Sequence, residues 1–550
     1  MADLGYYKMH ALIVDDFENF RGTLYKMLMD MGFGNADSAA TGEEALRFCK
    51  ARSYDLILCD NNLGKGKSGQ QVLEELRSTD NPCSDSLFLL VSAENSKGTI
   101  MAAYDYEPDA YLAKPLTTKA LDQRLGRLIE QRVELKAVHA AQKAGDDQLA
   151  ISLCKDLIAS GSRYANACQK LLGQLYLKKN DLAAAEAVYR AVLDNRELEW
   201  AQLGMVKTKL AQNDLIGAQQ WLENILQANP LCMKAYDLQA ELFKLQNNLE
   251  GLQNILQKAT DISPLSILRQ QALGDVAQQN NDLVTAANAL KRAVKLGEHS
   301  CFDKAEVHTL FAQATIDLFS IDKELAKPLV RDAISCINNL EDNFGKTNLR
   351  KIESLLLESQ LQVCAGDQRR AQETLASAQS ALGTSKDEDT LSVKIELVRT
   401  LRLLGKTDEA KQLLDELLEQ SAAKEDQLQR LDVLLDEPRS EKNKLMVAEI
   451  NKKGIAFYNA KDFTAAADAF RTALQKLPNH IGLRLNYVQA MLDKLKSRFD
   501  VGVSEKIQQT LTRTSALIAP QHPQFQRYRQ LNDVYNALVR ANGKDKRGHA

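Results

Sequence analysis

A repeat of about 34 residues runs through most of this 550-residue chain and constrains its fold more than any other feature. Pairs of turn-forming residues recur at intervals of 35, 33, 34 and 34 residues. These pairs are Gly145-Asp146, Asn180-Asp181, Asn213-Asp214, Asn247-Asn248 and Asn281-Asp282. Small or apolar residues and an amphipathic run follow each pair, which predicts two helices joined by a tight turn in every unit. Proline is scarce, 10 residues in 550, and this agrees with many helices joined by short turns.

The repeating unit resembles the tetratricopeptide repeat (TPR), whose helical hairpins stack into an all-α superhelical solenoid. A late copy turns at Lys461-Asp462, looser copies turn at Gly366-Asp367 and Gly405-Lys406, and the stretch from Cys301 to Asn348 fits poorly. The resemblance implies protein binding on a concave face, whose contact residues one sequence does not identify. The predicted parts are regular repeats over 131–297, irregular TPR-like hairpins over 298–440, a C-terminal repeat with capping helices over 441–542, and a basic disordered tail over 543–550.

The first 130 residues follow a different pattern, in which short apolar runs alternate with amphipathic segments. Such alternation predicts an α/β fold, a doubly wound five-stranded parallel sheet whose functional crevice lies at the carboxyl ends of the strands. The predicted strands span 11–14, 36–40, 56–59, 87–91 and 110–112, and the predicted helices span 20–31, 42–51, 69–77 and 97–104.

Polar side chains stand at four of these strand ends. Asp15 and Asp16 follow the first strand, Asp60 ends the third, Ser92 follows the fourth and Lys114 follows the fifth. Three clustered carboxylates repel one another, and a divalent cation such as Mg²⁺ relieves that repulsion. The lysine and the hydroxyl suit phosphoryl oxygens. We therefore expect a Mg²⁺ and phosphoryl site at this edge of the sheet.

This arrangement resembles the receiver domain of two-component response regulators, a flavodoxin-like fold, and the predicted domain spans residues 1–130. The resemblance implies that Asp60 accepts a phosphoryl group from a sensor histidine kinase. It also implies that Asp16, Asp60 and the Asn62 carbonyl ligate Mg²⁺, with Asp15 acting mainly through water.

The same resemblance assigns the other positions. It implies that Ser92 and Lys114 bind the phosphoryl oxygens, that Tyr111 is the aromatic switch residue, and that Asn62 and Glu94 tune self-dephosphorylation. One departure follows Asp60: Gly64 stands where the family usually has proline, and the nearest matching glycine, Gly69, comes one position late. The intervening Lys65-Gly66-Lys67 predicts a more flexible and more basic loop.

The connection between the two regions has a helical pattern without proline, through Leu121, Leu125, Leu128, Arg132, Leu135 and His139. Its first part is expected to cover the sheet. Residues 127–136 are predicted to continue this helix, either as a rigid lever or as the seam of a possible homodimer. Arg132 at a seam position disfavours the homodimer.

Charge and cysteine content limit the partners and the compartment. A net charge of −3 gives no global field for a polyanion, so DNA is not an expected partner. Nine cysteines without a CxxC pair indicate buried thiols in a reducing compartment. Without a signal peptide or an apolar run of about 18 residues, we expect a cytoplasmic protein with no membrane insertion.

Together these features predict a phosphorylation-controlled response regulator that signals through protein–protein interactions of its TPR region with unknown targets. Nucleotide-loop, hydrolase and metalloprotease motifs are absent, so no separate catalytic domain is expected beyond self-dephosphorylation. The alternative is a phosphoryl carrier or sink in a relay, with the repeats only as a tether. Direct DNA binding is disfavoured, because no terminal helix pair carries a basic recognition face.

Overall fold

The computed structural model describes residues 6–78, 81–93, 106–384 and 390–545. The chain divides into two compact units. The first unit contains residues 1–273 and 292–303, and the second contains residues 274–291 and 304–550.

The first unit begins with a five-stranded parallel sheet in the order β2-β1-β3-β4-β5. Its strands are β1 (His10–Val14), β2 (Asn35–Ala39), β3 (Leu56–Asp60), β4 (Leu87–Ser92) and β5 (Ala110–Ala113). Every residue of β3 and β4 is buried, as expected for central strands covered by helices on both faces. The edge strand β2, with the polar sequence NADSA, is largely accessible. The predicted doubly wound sheet is confirmed.

Helices on both faces of the sheet create two separate cores. They are α1 (Glu18–Asp30), α2 (Gly42–Ala51), α3 (Gly69–Ser78) and α4 (Thr118–Glu134). Because side chains alternate along a strand, Ile13 joins the core that contains Leu24 and Leu121, whereas Leu12 joins the core that contains Leu46 and Leu73. The helix predicted over 97–104 lies outside the described residues.

After α4, the described residues of both units form helices joined by turns and loops. From α5 to α12 the helices are Lys136–Lys143, Asp147–Ala159, Ala165–Lys178, Leu182–Leu193, Glu199–Ala211, Leu215–Ala228, Met233–Leu245 and Leu249–Ile262. The division between the units falls within α13 (Ile267–Gln279) and α14 (Leu283–Gly297). From α15 to α27 they are Ala305–Phe319, Lys323–Asn338, Leu340–Phe344, Asn348–Ala365, Gln368–Thr384, Leu391–Leu403, Thr407–Ser421, Glu425–Leu431, Glu441–Asn459, Phe463–Lys476, Ile481–Ser497, Val501–Leu517 and Phe525–Asp545.

Each of the five regular turn pairs, from Gly145-Asp146 to Asn281-Asp282, joins two helices in the same way, whereas Lys406 in the looser Gly405-Lys406 turn makes no side-chain cap. The first residue adopts the left-handed conformation, with φ of 59° at Asn180 and 63° at Asn281, which asparagine tolerates better than most residues. The second residue caps the next helix: the Asp181 side chain accepts a hydrogen bond from the backbone N–H of Ala184 at 3.1 Å. The helical hairpins and their turns are therefore confirmed.

Small residues allow the helices of a hairpin to approach closely. A Cβ atom at Gly173 would lie 2.5 Å from the ring of Tyr189, and one at Gly204 would lie 2.4 Å from it. Ala185 and Ala218, which follow turn pairs, are fully buried. Their role in packing between stacked helices agrees with the TPR pattern.

The predicted continuous lever over residues 127–136 is wrong. Helix α4 ends at Glu134, Leu135 leaves the helical conformation with φ −88° and ψ 3°, and α5 begins at the next residue. Upstream, Leu121 and Leu125 belong to the core under the sheet, whereas Leu135 belongs to the core of the first helical hairpin. The helix is therefore interrupted where the chain passes from one core to the other.

Eight of the nine cysteines are buried free thiols, as expected. Cys301 is the exception, because it is exposed and its sulfur lies 3.3 Å from Ser78 Oγ. Among the described residues, no helix combines the length and hydropathy needed to cross a membrane. The last five residues of the basic tail lie outside the described residues.

Candidate functional site

Three carboxylates meet at the carboxyl edge of the sheet. Strands β1 and β3 are neighbours and pair Val14 with Cys59, so the residues that follow converge. Carboxylate oxygens of Asp15, Asp16 and Asp60 all lie within 4.8 Å of one another. Asp15 and Asp60 are buried, at 1% and 7% exposure, whereas Asp16 is exposed to solvent.

Lys114 joins two of these carboxylates. Its Nζ donates hydrogen bonds to Asp15 Oδ2 and to Asp60 Oδ2, each at 2.7 Å, and lies 4.1 Å from the ring centroid of Phe20. Burial raises the pKa of Asp60, and the hydrogen bond and charge of Lys114 oppose that rise. Burial alone lowers the pKa of Lys114, but the two carboxylates outweigh it, so the pKa is raised. The lysine thus stays charged and partly offsets the acidic cluster.

Two more of the predicted site residues, Ser92 and Asn62, contact Lys114 and Asp60 at the same edge. Ser92 ends β4 and is 2% exposed, and its carbonyl accepts a hydrogen bond from the Lys114 backbone N–H at 2.8 Å. Asn62 donates its backbone N–H to Asp60 Oδ1 at 3.3 Å. Tyr111 lies half-buried on β5. Glu94 lies outside the described residues.

The loop after Asp60 is shaped by glycines and held by a carboxylate. Gly66 has φ of 94°, and the backbone N–H of Lys67 donates to Glu43 Oε1 at 2.9 Å. A Cβ atom at Gly69 would lie 2.0 Å from the Asp60 carbonyl oxygen, so only glycine fits there without displacement of the backbone. The late glycine is therefore required by the close approach of the loop to Asp60.

Contacts around Asp15 were not predicted. Its Oδ1 accepts a hydrogen bond from the Phe17 backbone N–H at 2.9 Å, and its carbonyl accepts one from Arg21 Nη1 at 2.6 Å. An aspartate that accepts a hydrogen bond from the backbone two residues on is a common turn element, so Asp15-Asp16-Phe17 carried a signal for the first contact. The first bond holds the carboxylate whose other oxygen accepts from Lys114, and the second holds the Asp15 backbone.

A second unpredicted feature is a docking segment, residues 298–302, which contacts the sheet domain within the first unit. Two side chains that follow Asp60 in sequence donate to backbone carbonyls of this segment. Lys67 Nζ donates to the His299 carbonyl, and Gln71 Nε2 donates to the Glu298 carbonyl at 2.8 Å. The loop and helix that follow Asp60 are thus bonded to the end of the first set of repeats.

A buried carboxylate is central to the same contact. Ser300 Oγ donates to Glu74 Oε2 at 2.6 Å, and Glu74 on α3 is only 2% exposed. Burial raises the pKa of Glu74, opposed by hydrogen bonds from Ser300 and Tyr106. The rings of Tyr106 and Phe302 stack with centroids 6.0 Å apart. Over two hundred residues separate the partners, so no local pattern predicts this contact.

Comparisons with known proteins agree with this geometry. A model of the response regulator receiver domain family matches residues 11–126. Chemotaxis protein CheY-3 of Vibrio cholerae is 31% identical over 123 residues, which are 22% of this chain and 93% of that protein. Chemotaxis protein CheY of Pseudomonas aeruginosa is 30% identical over 123 residues, which are 22% of this chain and 98% of that protein.

The helical remainder has neighbours among solved structures. The C-terminal part of a TPR repeat-containing protein from Cytophaga hutchinsonii aligns with 46% of this chain and 96% of that structure, at 13% identity and a TM-score of 0.34. The TPR assignment itself rests on the 34-residue period, the turn geometry and the small residues between helices. With an N-terminal receiver domain that carries the acidic site and Lys114, followed by TPR-type helical hairpins, the chain belongs to the response regulator family.

Proposed function

We propose that this protein is a phosphorylation-controlled response regulator whose output is protein binding by its TPR region. The observation that carries the proposal is the acidic cluster with Lys114 bonded to both Asp15 and Asp60. A carboxylate beside a fixed ammonium group is suited to accept a phosphoryl group, because the lysine can pair with the oxygens that arrive.

In this proposal Asp60 is the acceptor and a phosphohistidine of a sensor histidine kinase is the donor. A carboxylate oxygen of Asp60 attacks phosphorus, the bond from phosphorus to the imidazole nitrogen breaks, and the imidazole leaves with the electron pair. Lys114 and Ser92 bind the transferred oxygens. Tyr111 follows Ser92 inward, and Asn62 and Glu94 set the rate at which water removes the phosphoryl group.

The carboxylates also fit a Mg²⁺ ion. All the donors are hard oxygen atoms, and their mutual distances allow one ion to contact several of them. We assign Asp16, Asp60 and the Asn62 carbonyl as ligands, with Asp15 held through water. When bound, the ion supplies positive charge that neutralises the phosphoryl oxygens.

The docking segment supports a route from Asp60 to the repeats. Phosphorylation replaces one negative charge on Asp60 by about two. Lys67 is seven residues away in sequence and bonds to the His299 carbonyl. We propose that the added charge draws lysines of this loop toward the phosphoryl group, weakens the hold on residues 298–302 and changes which helical surface is available to a target.

In this proposal residues 1–130 receive the signal. Target binding belongs to the regular repeats (131–297), the irregular hairpins (298–440) and the C-terminal repeat (441–542). The basic tail over 543–550 has no assigned part. We place this activity in the cytosol, because all nine cysteines are free thiols.

The experiment compares proteins captured by the full chain with and without a small phosphodonor and Mg²⁺. The variants are Asp60→Asn and, as a matched control, Asp30→Asn, which changes an exposed carboxylate of the same unit. We expect the wild type and Asp30→Asn to capture different proteins with and without the phosphodonor. We expect Asp60→Asn to capture the same proteins in both conditions.

Two outcomes contradict the proposal. If Asp60→Asn still becomes phosphorylated at the wild-type rate, the acceptor assignment is wrong. If the wild type becomes phosphorylated while its partners and affinities stay constant, the output assignment is wrong. Transfer of the phosphoryl group to a second histidine protein in that case favours the carrier or sink.

A further inference from the structure

Three arginines of the second unit lie close together on successive helices of its C-terminal part. Arg471 on α24 donates from Nη1 to Asn280 Oδ1 at 3.2 Å, and Arg513 on α26 donates from Nη1 to Oδ1 of the adjacent Asn281. Arg484 on α25 lies within electrostatic range of Arg513. Two turn residues that are neighbours in sequence therefore bring the Arg471 and Arg513 side chains to one place.

The most buried of the three has spare hydrogen-bond donors. Arg484 is 7% exposed, and its Nε donates to the Pro478 carbonyl at 2.7 Å. Its two terminal nitrogens have no hydrogen-bond partner among the residues that the structure describes. Burial and the positive charge of Arg513 lower the pKa of Arg484 to about 9. Buried charges in proteins are normally paired, so buried guanidinium groups with unused donors are suited to bind an anion.

The neighbouring carboxylates do not fully neutralise the positive charge of these arginines. Asp468 lies 2.8 Å from Arg471 Nη2, but its own side chain is half-exposed. Arg471 Nε is buried and makes no hydrogen bond within the described part of the chain. Asp317 opposes the lowered pKa of Arg484, yet the two form no ion pair within 4.0 Å in the described residues. The amide oxygens of Asn280 and Asn281 are neutral and leave the positive charges in place.

We propose that Arg471, Arg484 and Arg513 form a binding site for an oxyanion, either a carboxylate or a phosphate group. Planar guanidinium groups present paired N–H donors that match both oxyanions. Arg513 is half-exposed and gives access from solvent. The site is independent of the receiver and does not rest on the proposed function.

The test measures anion binding to the full chain in the presence of EDTA, so that Mg²⁺ does not promote binding at the receiver. The melting temperature is followed while phosphate or acetate replaces chloride at constant ionic strength. Arg513→Gln removes the accessible cation. Arg498→Gln is the matched control, because Arg498 is an exposed arginine that follows α25, the helix that carries Arg484.

We expect phosphate or acetate to stabilise the wild type and Arg498→Gln equally, and Arg513→Gln to bind the same anion at least tenfold more weakly. Without anion, Arg513→Gln is expected to melt at or above the wild-type temperature, because repulsion of Arg484 is relieved. Stronger binding of phosphate identifies a phosphate site, and stronger binding of acetate identifies a carboxylate site. Equal effects of chloride, phosphate and acetate, or unchanged affinity in Arg513→Gln, would overturn the proposal.

Discussion

Removal of the Ser300 hydroxyl tests the docking segment most directly. Ser300 donates to Glu74 Oε2 at 2.6 Å, and Glu74 is 2% exposed. Ser300→Ala leaves that carboxylate buried without this donor. A hydrogen bond to a charged group contributes about 1.5–3 kcal/mol, and loss of one partner also leaves the buried carboxylate less well satisfied. We therefore expect local opening of the contact to become easier by about 1.5–3 kcal/mol.

Hydrogen exchange of the backbone amides in α3 (Gly69–Ser78) measures this opening. Since about 1.4 kcal/mol corresponds to a factor of ten, protection of these amides should fall roughly tenfold to a hundredfold in Ser300→Ala. The control is Ser160→Ala, an exposed serine of the same unit whose hydroxyl donates to the Leu157 carbonyl of the preceding helix. In a Glu74→Gln background the effect of Ser300→Ala should shrink, because no buried charge is then left unpaired.

Two results refute this reasoning. Protection of α3 that is equal in Ser300→Ala and the wild type means that the docking contact does not limit opening. An undiminished effect of Ser300→Ala in the Glu74→Gln background means that the loss does not pass through the carboxylate.

Three further predictions concern the same unit. Lys114→Met removes the cation that pairs with Asp15 and Asp60, so without Mg²⁺ thermal melting should show a free energy of unfolding lower by about 3–5 kcal/mol. Mg²⁺ should restore part of this stability. An equal loss with and without the ion would contradict the prediction. Gly69→Ala places a Cβ 2.0 Å from the Asp60 carbonyl oxygen, so the free energy of unfolding should fall by about 1–3 kcal/mol and phosphorylation should be slower. Thermal melting and phosphodonor labelling measure these two effects. Wild-type values for both would show that the loop adjusts without cost. The raised pKa of Glu74 means that the folded state holds this proton more tightly than the unfolded state. The free energy of unfolding should therefore fall as pH rises from about 4.5 through the raised pKa, and it should depend less on pH in Glu74→Gln. Identical pH profiles of the melting temperature in the two proteins would contradict this prediction.

Local patterns in the sequence account for most of the secondary structure. Turn residues such as Asn180 and Asp181 act through their own backbone and side chain, so their effect is visible in a short window. The strand positions were predictable for the same reason, because β3 and β4 are apolar runs buried on both faces. Parallel topology then places Asp15 and Asp60 at one edge without knowledge of any distance.

Other features depend on residues that are far apart in sequence. The break at Leu135 has no proline or glycine in the sequence to predict it, and it lies where the helical pattern passes from the core under the sheet to the core of the first hairpin. The exposure of Cys301 likewise depends on where its loop lies, not on its residue type.

The sequence by itself therefore determined the parallel sheet, the helical hairpins and the acidic residues at the strand ends, because periodicity, turn chemistry and strand order act over short distances. Only the tertiary structure decided that Lys114 donates hydrogen bonds to both Asp15 and Asp60, that Ser300 donates one to Glu74, and that Arg471 and Arg513 meet at Asn280 and Asn281. Each of these arrangements concerns burial of charge. Its energy depends on which distant groups exclude water and which supply the opposite charge or a hydrogen bond.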